Sequence, residues 1–420
     1  MTLGRQSGSS GQRRSKLRLV RCLVLILLIG VPSARAQQPT RLTLQAVLDL
    51  AEKQNLDLAA ARQQRAVALA GVRIAQQRPN PSVAFTALRD EPHEGLFFNQ
   101  PLELGSKRQR RIEVARQESL LTDLDIAGVT RQVRRNVRAA YYAVAFARAE
   151  SGRRGQVLKL AQRLRQIAQE RYEAGAVAQL EVIQADLEVS RAEADFRVGQ
   201  QQEKVALSQL NALLNEPAET AWDMASSLGD LPPRTELGQL IERAAAANAE
   251  LQRLGQEQKV EESRRGLLKA ERIPNLDLEY GVDFNSPHDF RVGPRGQVLL
   301  TLPIFSRNQG EIAQSLANQR VLEAESAATR RAVAGRVETG YFDWSARLAQ
   351  VEIYRQTLLP SARRLESLAE ESYRAGKSNI LTVLDAQRNV QGIEREYLDA
   401  LFAVQTAFAD LEATVGVPLD

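Results

Sequence analysis

Two copies of one turn, 201 residues apart, constrain this chain more than any other feature in it. Tyr172-Glu173-Ala174-Gly175 leads into Leu180-Glu181-Val182-Ile183-Gln184-Ala185-Asp186. Tyr373-Arg374-Ala375-Gly376 leads into Leu381-Thr382-Val383-Leu384-Asp385-Ala386-Gln387, with no gap between the Tyr and the last Ala. Gly175 and Gly376 stand where a helix ends in a left-handed residue, and the apolar residues after them restart a helix. A repeated helix–turn–helix tip makes duplication of the whole chain the first expectation.

Other landmarks repeat as well. Asn55 matches Asn248, Pro79-Asn80 matches Pro274-Asn275, and Tyr141-Tyr142 matches Tyr341-Phe342. The expected organisation is a first repeat over 41–214, a linker over 215–238 broken by Pro217, Pro232 and Pro233, and a second repeat over 239–418. The linker and the C-terminal end are expected to form a collar midway along the helices.

The first 36 residues read as a secretory signal. Arg13, Arg14, Lys16, Arg18 and Arg21 precede the apolar run Cys22–Val31, and Ala34-Arg35-Ala36 is a cleavage site of the A-x-A type. That run is too short for a membrane anchor. Residues 1–36 hold seven of the 56 basic residues and none of the 51 acidic ones, so without them the net charge turns from +5 to −2. The composition-level case for nucleic acid disappears with the leader. Cys22, the one cysteine, leaves with it, and neither a disulfide nor a thiolate metal site remains.

Apolar periodicity predicts helix over 42–77, from Ser106 to Gly175, from Val177 to Leu214, from Glu236 to Arg272, over 308–375 with Pro360 inside it, and over 379–414. In the last of these Tyr397, Leu401, Val404, Phe408, Leu411 and Val415 follow coiled-coil steps. Four short strands are expected at Ser82–Arg89, Leu96–Leu102, Asn275–Asn285 and Gln297–Phe305. The third alternates Leu278, Tyr280 and Val282 with Asp277, Glu279 and Asp283.

A helix of about 65 residues is a rod of roughly 100 Å, with strands at one end and a tip turn at the other. Strands of this length with one apolar face fit a bilayer core. Lipid forbids open sheet edges, so such strands must close into a barrel. Four strands cannot close. Two chains would supply eight strands around a filled interior and three would supply twelve around a lumen, and three is the expectation. Asp277, Glu279 and Asp283 are then expected in the lumen. A soluble coiled coil capped by a small β-domain is the competing architecture.

The chain offers little else to chemistry. His93 and His288 both fall in turns, and Met224 is the single methionine after the leader. Neither histidine has the companions a metal site needs, and the basic stretch around Arg131, Arg134 and Arg135 reads as a solvated helix face. No nucleophile–base pairing, phosphate loop or cofactor site is expected, and no enzymatic activity.

Leu42-Thr43-Leu44 before an Ala/Leu helix with Asn55, the duplicated proline-led strands and the two tips resemble the TolC-type outer-membrane efflux proteins across residues 41–418. Gln100-Pro101-Leu102-Glu103-Leu104-Gly105-Ser106-Lys107-Arg108 and Leu302-Pro303-Ile304-Phe305-Ser306-Arg307-Asn308-Gln309-Gly310 are similar to the heavy-metal (cobalt–zinc–cadmium) branch. The resemblance implies a mainly α protein with a membrane β-barrel: a homotrimeric α-helical barrel continued by a 12-stranded β-barrel in outer-membrane lipid, reaching into the periplasm. It implies a periplasmic adaptor and an inner-membrane RND-type pump as partners, with no nucleic acid, and a passive conduit carrying heavy-metal cations. Drug efflux, type I secretion and a non-pore exported coiled-coil adaptor are the alternatives.

The family's tip gate maps onto this sequence in part. Tyr373 matches a tyrosine on the second tip that bonds an acid on the first, and Glu181 matches that acid, one methylene longer. Asp385 matches one of two acidic constriction positions, Thr382 replaces the other, and Ser378 stands where a gate arginine can be found. Tyr172, Gly175 and Gly376 complete the two turns.

Overall fold

The computed structural model describes residues 41–90, 92–284 and 291–419. The expected leader and His288 lie outside the described residues. Nine α-helices and one four-stranded sheet make up most of the rest.

The first helical stretch is two helices, α1 (Leu44–Gln54) and α2 (Leu56–Gln76), where the periodicity had predicted one. Asn55 makes the break. Its Oδ1 accepts the Leu58 N–H at 3.0 Å, capping α2, while its Nδ2 donates to the Leu213 carbonyl at 2.9 Å. An amide that can cap one helix and satisfy the end of another stabilises a bend that apolar spacing alone does not disclose. Next come strands β1 (Ser82–Ala87) and β2 (Glu94–Leu102), then α3 (Lys107–Glu173) and α4 (Gln179–Leu213).

The second half repeats the plan. Helices α5 (Leu237–Ala247) and α6 (Ala249–Ala270) are again parted by an asparagine. Asn248 Oδ1 caps the N–H groups of Glu250 and Leu251, and its Nδ2 donates to Thr414 O at 2.7 Å. Strands β3 (Leu276–Phe284) and β4 (Val292–Leu300) follow, then α7 (Gln309–Ile353), α8 (Leu359–Arg374) and α9 (Ile380–Val415). Between α7 and α8 a π turn, Tyr354–Leu358, lets the Leu359 N–H reach back to Tyr354 O. Pro360 has no N–H and crowds the preceding turn, and the widened turn lets the helix run on past it.

The sheet has the antiparallel order β1-β2-β3-β4. Strand β4 begins five residues earlier than expected and includes Pro294. Pro294 is tolerated because β4 is an edge of the sheet and need not donate on both sides. The register puts Val83, Phe85, Leu96, Phe98, Leu278, Tyr280, Val282 and Val298 on one face. Most of that face is exposed, and the Phe98 and Tyr280 rings meet across strands at 5.1 Å. The other face carries Thr86, Asn99, Asp277, Glu279, Asp283, Arg295 and Gln297, with Phe97 and Leu299 as its large apolar members. Within the chain, β1 and β4 each leave one edge unpaired.

The main core lies halfway along α3, where Val137, Tyr141 and Val144 pack against residues of α1, α4, α5, α7 and α9. The linker joins this core. Trp222 packs against it and donates from Nε1 to Asn211 Oδ1 at 2.6 Å, while Leu228 and the C-terminal Leu419 are buried in it. The Tyr141 hydroxyl donates to Leu42 O and accepts the Ser226 N–H, tying the segment before α1 to the linker. Arg138 of α3 and Glu412 of α9 form a buried ion pair here, with the guanidinium 4.9 Å from the Phe408 ring centre. None of the helices among the described residues is long and apolar enough to cross a membrane.

Candidate functional site

With 67 residues, α3 is a rod of about 100 Å. The sheet lies at its first end and the two tip turns at its other end. Both turns close in the same way. The Gly175 N–H donates to Tyr172 O and the Ala176 N–H to Arg171 O; the Gly376 N–H donates to Tyr373 O and the Lys377 N–H to Ser372 O. This pair of reverse bonds requires a left-handed residue between them, and Gly175 and Gly376 have φ of 72° and 73°.

The two tyrosines then part company. Tyr373 is fully buried (0 % exposed) in a small core of its own with Leu164, Ala168, Ala185, Ile380, Val383 and Leu384. Its hydroxyl donates to Glu181 Oε2 at 3.1 Å, so the structure brings together this pair of site residues. Tyr172 remains 41 % exposed. The residue that stands to the second turn as Glu181 stands to the first is Thr382, and the repeat-related contact Tyr172–Thr382 is not made within the chain. Thr382 instead serves the start of α9, where its N–H and hydroxyl both donate to Asn379 Oδ1 at 3.1 Å.

Arg171 is the part of this site that the sequence reading missed. Its guanidinium carbon lies 4.5 Å from the centre of the Tyr373 ring, and its Nη1 donates to the Tyr373 carbonyl at 3.1 Å. The repeat-related position is Ser372, so the asymmetry between copies was the available signal. Burial pushes the Tyr373 phenol above its usual value near 10, and the hydrogen bond to the Glu181 carboxylate adds to the shift, while Arg171 opposes it. The proton that makes the bond is therefore held through neutral pH.

Asp385 lies one turn into α9 and is exposed, with Arg388 Nη1 3.4 Å from its carboxylate. Arg388 also approaches Glu188 of the first tip's helix at 3.7 Å, a second link between the tips. Such exposed pairs are weak, so Asp385 keeps most of its field. The Ser378 hydroxyl is buried and has no partner among the described residues. At the other end of the rods, Asp277, Glu279 and Asp283 share the sheet's polar face. His93 stands between β1 and β2, its carbonyl accepting the Leu88 N–H, and no group of three or more metal-ligating side chains occurs among the described residues.

A part-buried, charge-assisted bond between two helical hairpins is suited to holding a tip in one arrangement. The cobalt-zinc-cadmium resistance protein CzcC of Cupriavidus metallidurans is 28% identical over 385 residues, 89% of this chain and 90% of that protein. The pyoverdine export outer membrane protein OpmQ of Pseudomonas aeruginosa is 26% identical over 345 residues, 77% of this chain and 68% of that one. Among solved structures, a CusC crystal structure concerned with transmembrane channel formation superposes with a TM-score of 0.72 at 17% identity, covering 90% of this chain and 93% of that one. The fold is thus that of the mainly helical channels in which a helical barrel continues into a β-barrel. With residues 47–216 and 240–417 both matching its model, the chain belongs to the outer membrane efflux protein family, whose members are outer-membrane channels and not enzymes.

Proposed function

We propose that this protein is the outer-membrane exit duct of a tripartite efflux pump, a homotrimer that passes heavy-metal cations outward. It would receive them from an inner-membrane pump of the RND type joined to it by a periplasmic adaptor. The observation that carries the duct is the sheet: two faces of opposite character, and two unpaired edges that lipid does not tolerate. Three copies supply twelve strands with the apolar face on lipid and Asp277, Glu279 and Asp283 on the bore. Each polar sheet face holds these three carboxylates against one guanidinium, Arg295. That balance favours cations over anions in the lumen. A second reading, export of an anionic or siderophore-like cargo, draws on the similarity to OpmQ, but the acidic bore argues against it. The cargo test is accumulation of zinc, cobalt and cadmium in cells deleted for this chain. Raised cell metal, restored to normal by the plasmid-borne protein, supports the proposal; unchanged metal with raised siderophore retention supports the second reading.

Two further results follow from this architecture. Leu278→Arg, placed on the lipid face near mid-barrel, is expected to lower insertion stability by about 2–4 kcal/mol, read by urea titration of the folded barrel. Glu279→Leu on the opposite face should leave insertion intact. The reverse outcome would mean the faces are exchanged.

The tip is the proposed gate: Tyr373 donates to Glu181, Arg171 braces the ring, and Asp385 forms the acidic ring of the closed end. Around three chains Tyr172 would face Thr382 of a neighbouring chain, so the seam between chains would be held more weakly than the pair within one. The clamp also has a pH limit. Because the folded phenol titrates above its unfolded value near 10, its stabilisation is full below that value and is lost as pH rises through the folded pKa. Conductance is expected to rise in that alkaline window, and Tyr373→Phe should abolish the transition. A transition that persists unchanged in Tyr373→Phe would assign it to another group.

A further inference from the structure

Phe97 breaks the pattern of its own strand. It lies on the polar face of the sheet, yet only 5 % of it is exposed. Two glycines and an arginine account for this. The register aligns Ala84, Phe97, Gly281 and Arg295 as one rung across the four strands. A β-carbon at Gly281 would stand 2.7 Å from Phe97 Cδ1, and one at Gly95 would stand 2.6 Å from Phe97 Cε2. The ring therefore lies flat on the backbone in space that only glycines leave open, at the cost glycines impose inside a strand. From above, the Arg295 guanidinium covers it, 5.0 Å from the ring centre.

Arg295 has acidic neighbours within reach of its rung. Glu279 and Asp283 flank Gly281 on β3, one step to either side on the same face. Diagonal neighbours of this kind lie close enough for long side chains to meet. Yet Arg295 makes no ion pair among the described residues; its guanidinium lies on the ring instead.

We infer that Phe97 is a positioning residue for the selectivity of the bore: its flat ring holds Arg295 against the wall and away from Glu279 and Asp283, leaving those carboxylates to act on passing cations. The inference rests on the polar face being the lumen. A guanidinium stacked on an aromatic face satisfies part of its charge there. Without the ring it either pairs with the carboxylates or extends toward the axis. Both changes make the bore less attractive to cations.

Reversal potentials of the full-length protein in planar bilayers under a KCl gradient test this. Arg295→Gln is expected to raise the K⁺/Cl⁻ permeability ratio. Phe97→Leu, which keeps an apolar side chain and loses the π face, should lower that ratio roughly two-fold, the scale of one displaced and screened charge per chain. In the Arg295→Gln background, Phe97→Leu should change nothing, and Phe97→Tyr should behave as the parent. Gly95→Ala, which lifts the ring without altering either partner, should shift the ratio in the same direction and serves if Phe97→Leu does not insert. An equal shift from Phe97→Leu in both backgrounds, or no shift in either, would overturn the role. Failure of the lumen reading has its own signature. Glu279→Cys, the one thiol once the leader with Cys22 is removed, would then resist a charged thiol reagent added from the water, and Arg295→Gln would leave the reversal potential unmoved.

Discussion

Glu412→Ala is expected to destabilise the folded chain by about 1.5–3 kcal/mol, because it removes the buried charge-assisted contact with Arg138 where α3 meets α9. The pair joins helices 274 residues apart in sequence at the middle of the molecule, where α3 and α9 cross the main core. The Phe408 ring packs against the same guanidinium, 4.9 Å from its carbon to the ring centre. Arg138→Ala should cost a similar amount, with lost packing over Phe408 added. Replacing both partners with apolar residues of similar size should recover much of the loss, since a buried ion pair costs desolvation that a hydrophobic pair does not. Urea titrations followed by helix circular dichroism would read all three. A single-site loss below about 1 kcal/mol, the range of exposed pairs, would show that water reaches the pair.

The other large effect is expected at the tip. Tyr373→Phe combined with Glu181→Gln keeps the ring in its small core and removes the charge-assisted bond. Hydrogen bonds to charged groups contribute about 1.5–3 kcal/mol each. Three such clamps released together would shift a closed–open equilibrium by roughly a thousand-fold or more. Arg171→Ala should move it in the same direction by less, since the ring and its bond to Glu181 remain. Asp385→Asn should leave the equilibrium alone and reduce cation preference. If instead Asp385→Asn alone opened the tip, repulsion within an acidic ring would not be the relevant force there, and its pairing with Arg388 would be.

The tips were legible in the sequence because their chemistry is local. A left-handed glycine after Tyr-x-Ala, repeated at a fixed offset, leaves few alternatives, and both turns have the reverse bonds that glycine permits. The alternation of β3 was legible for the same reason, as one strand carries its own period. Asn55 and Asn248 were recognised as a matched pair, but their work was not. Each bends its helix only because a carbonyl from a distant helix end, Leu213 or Thr414, waits for its amide. The start of β4 was missed because Gly293, Pro294 and Gly296 have the composition of a turn, and the sheet's edge is what accepts them. Arg171, Arg138 with Glu412, and Phe97 with Arg295 all depend on which faces meet, which periodicity does not specify.

The claim on which all of this rests is that the protein is a duct closed at its helical end. Single-channel recording of the purified full-length protein in planar bilayers tests it most directly. A heat-resistant trimer is expected to give discrete steps of small, cation-preferring conductance, and Tyr373→Phe/Glu181→Gln a several-fold larger step. A protein that yields no steps, or whose steps are the same size with and without the clamp, would contradict it.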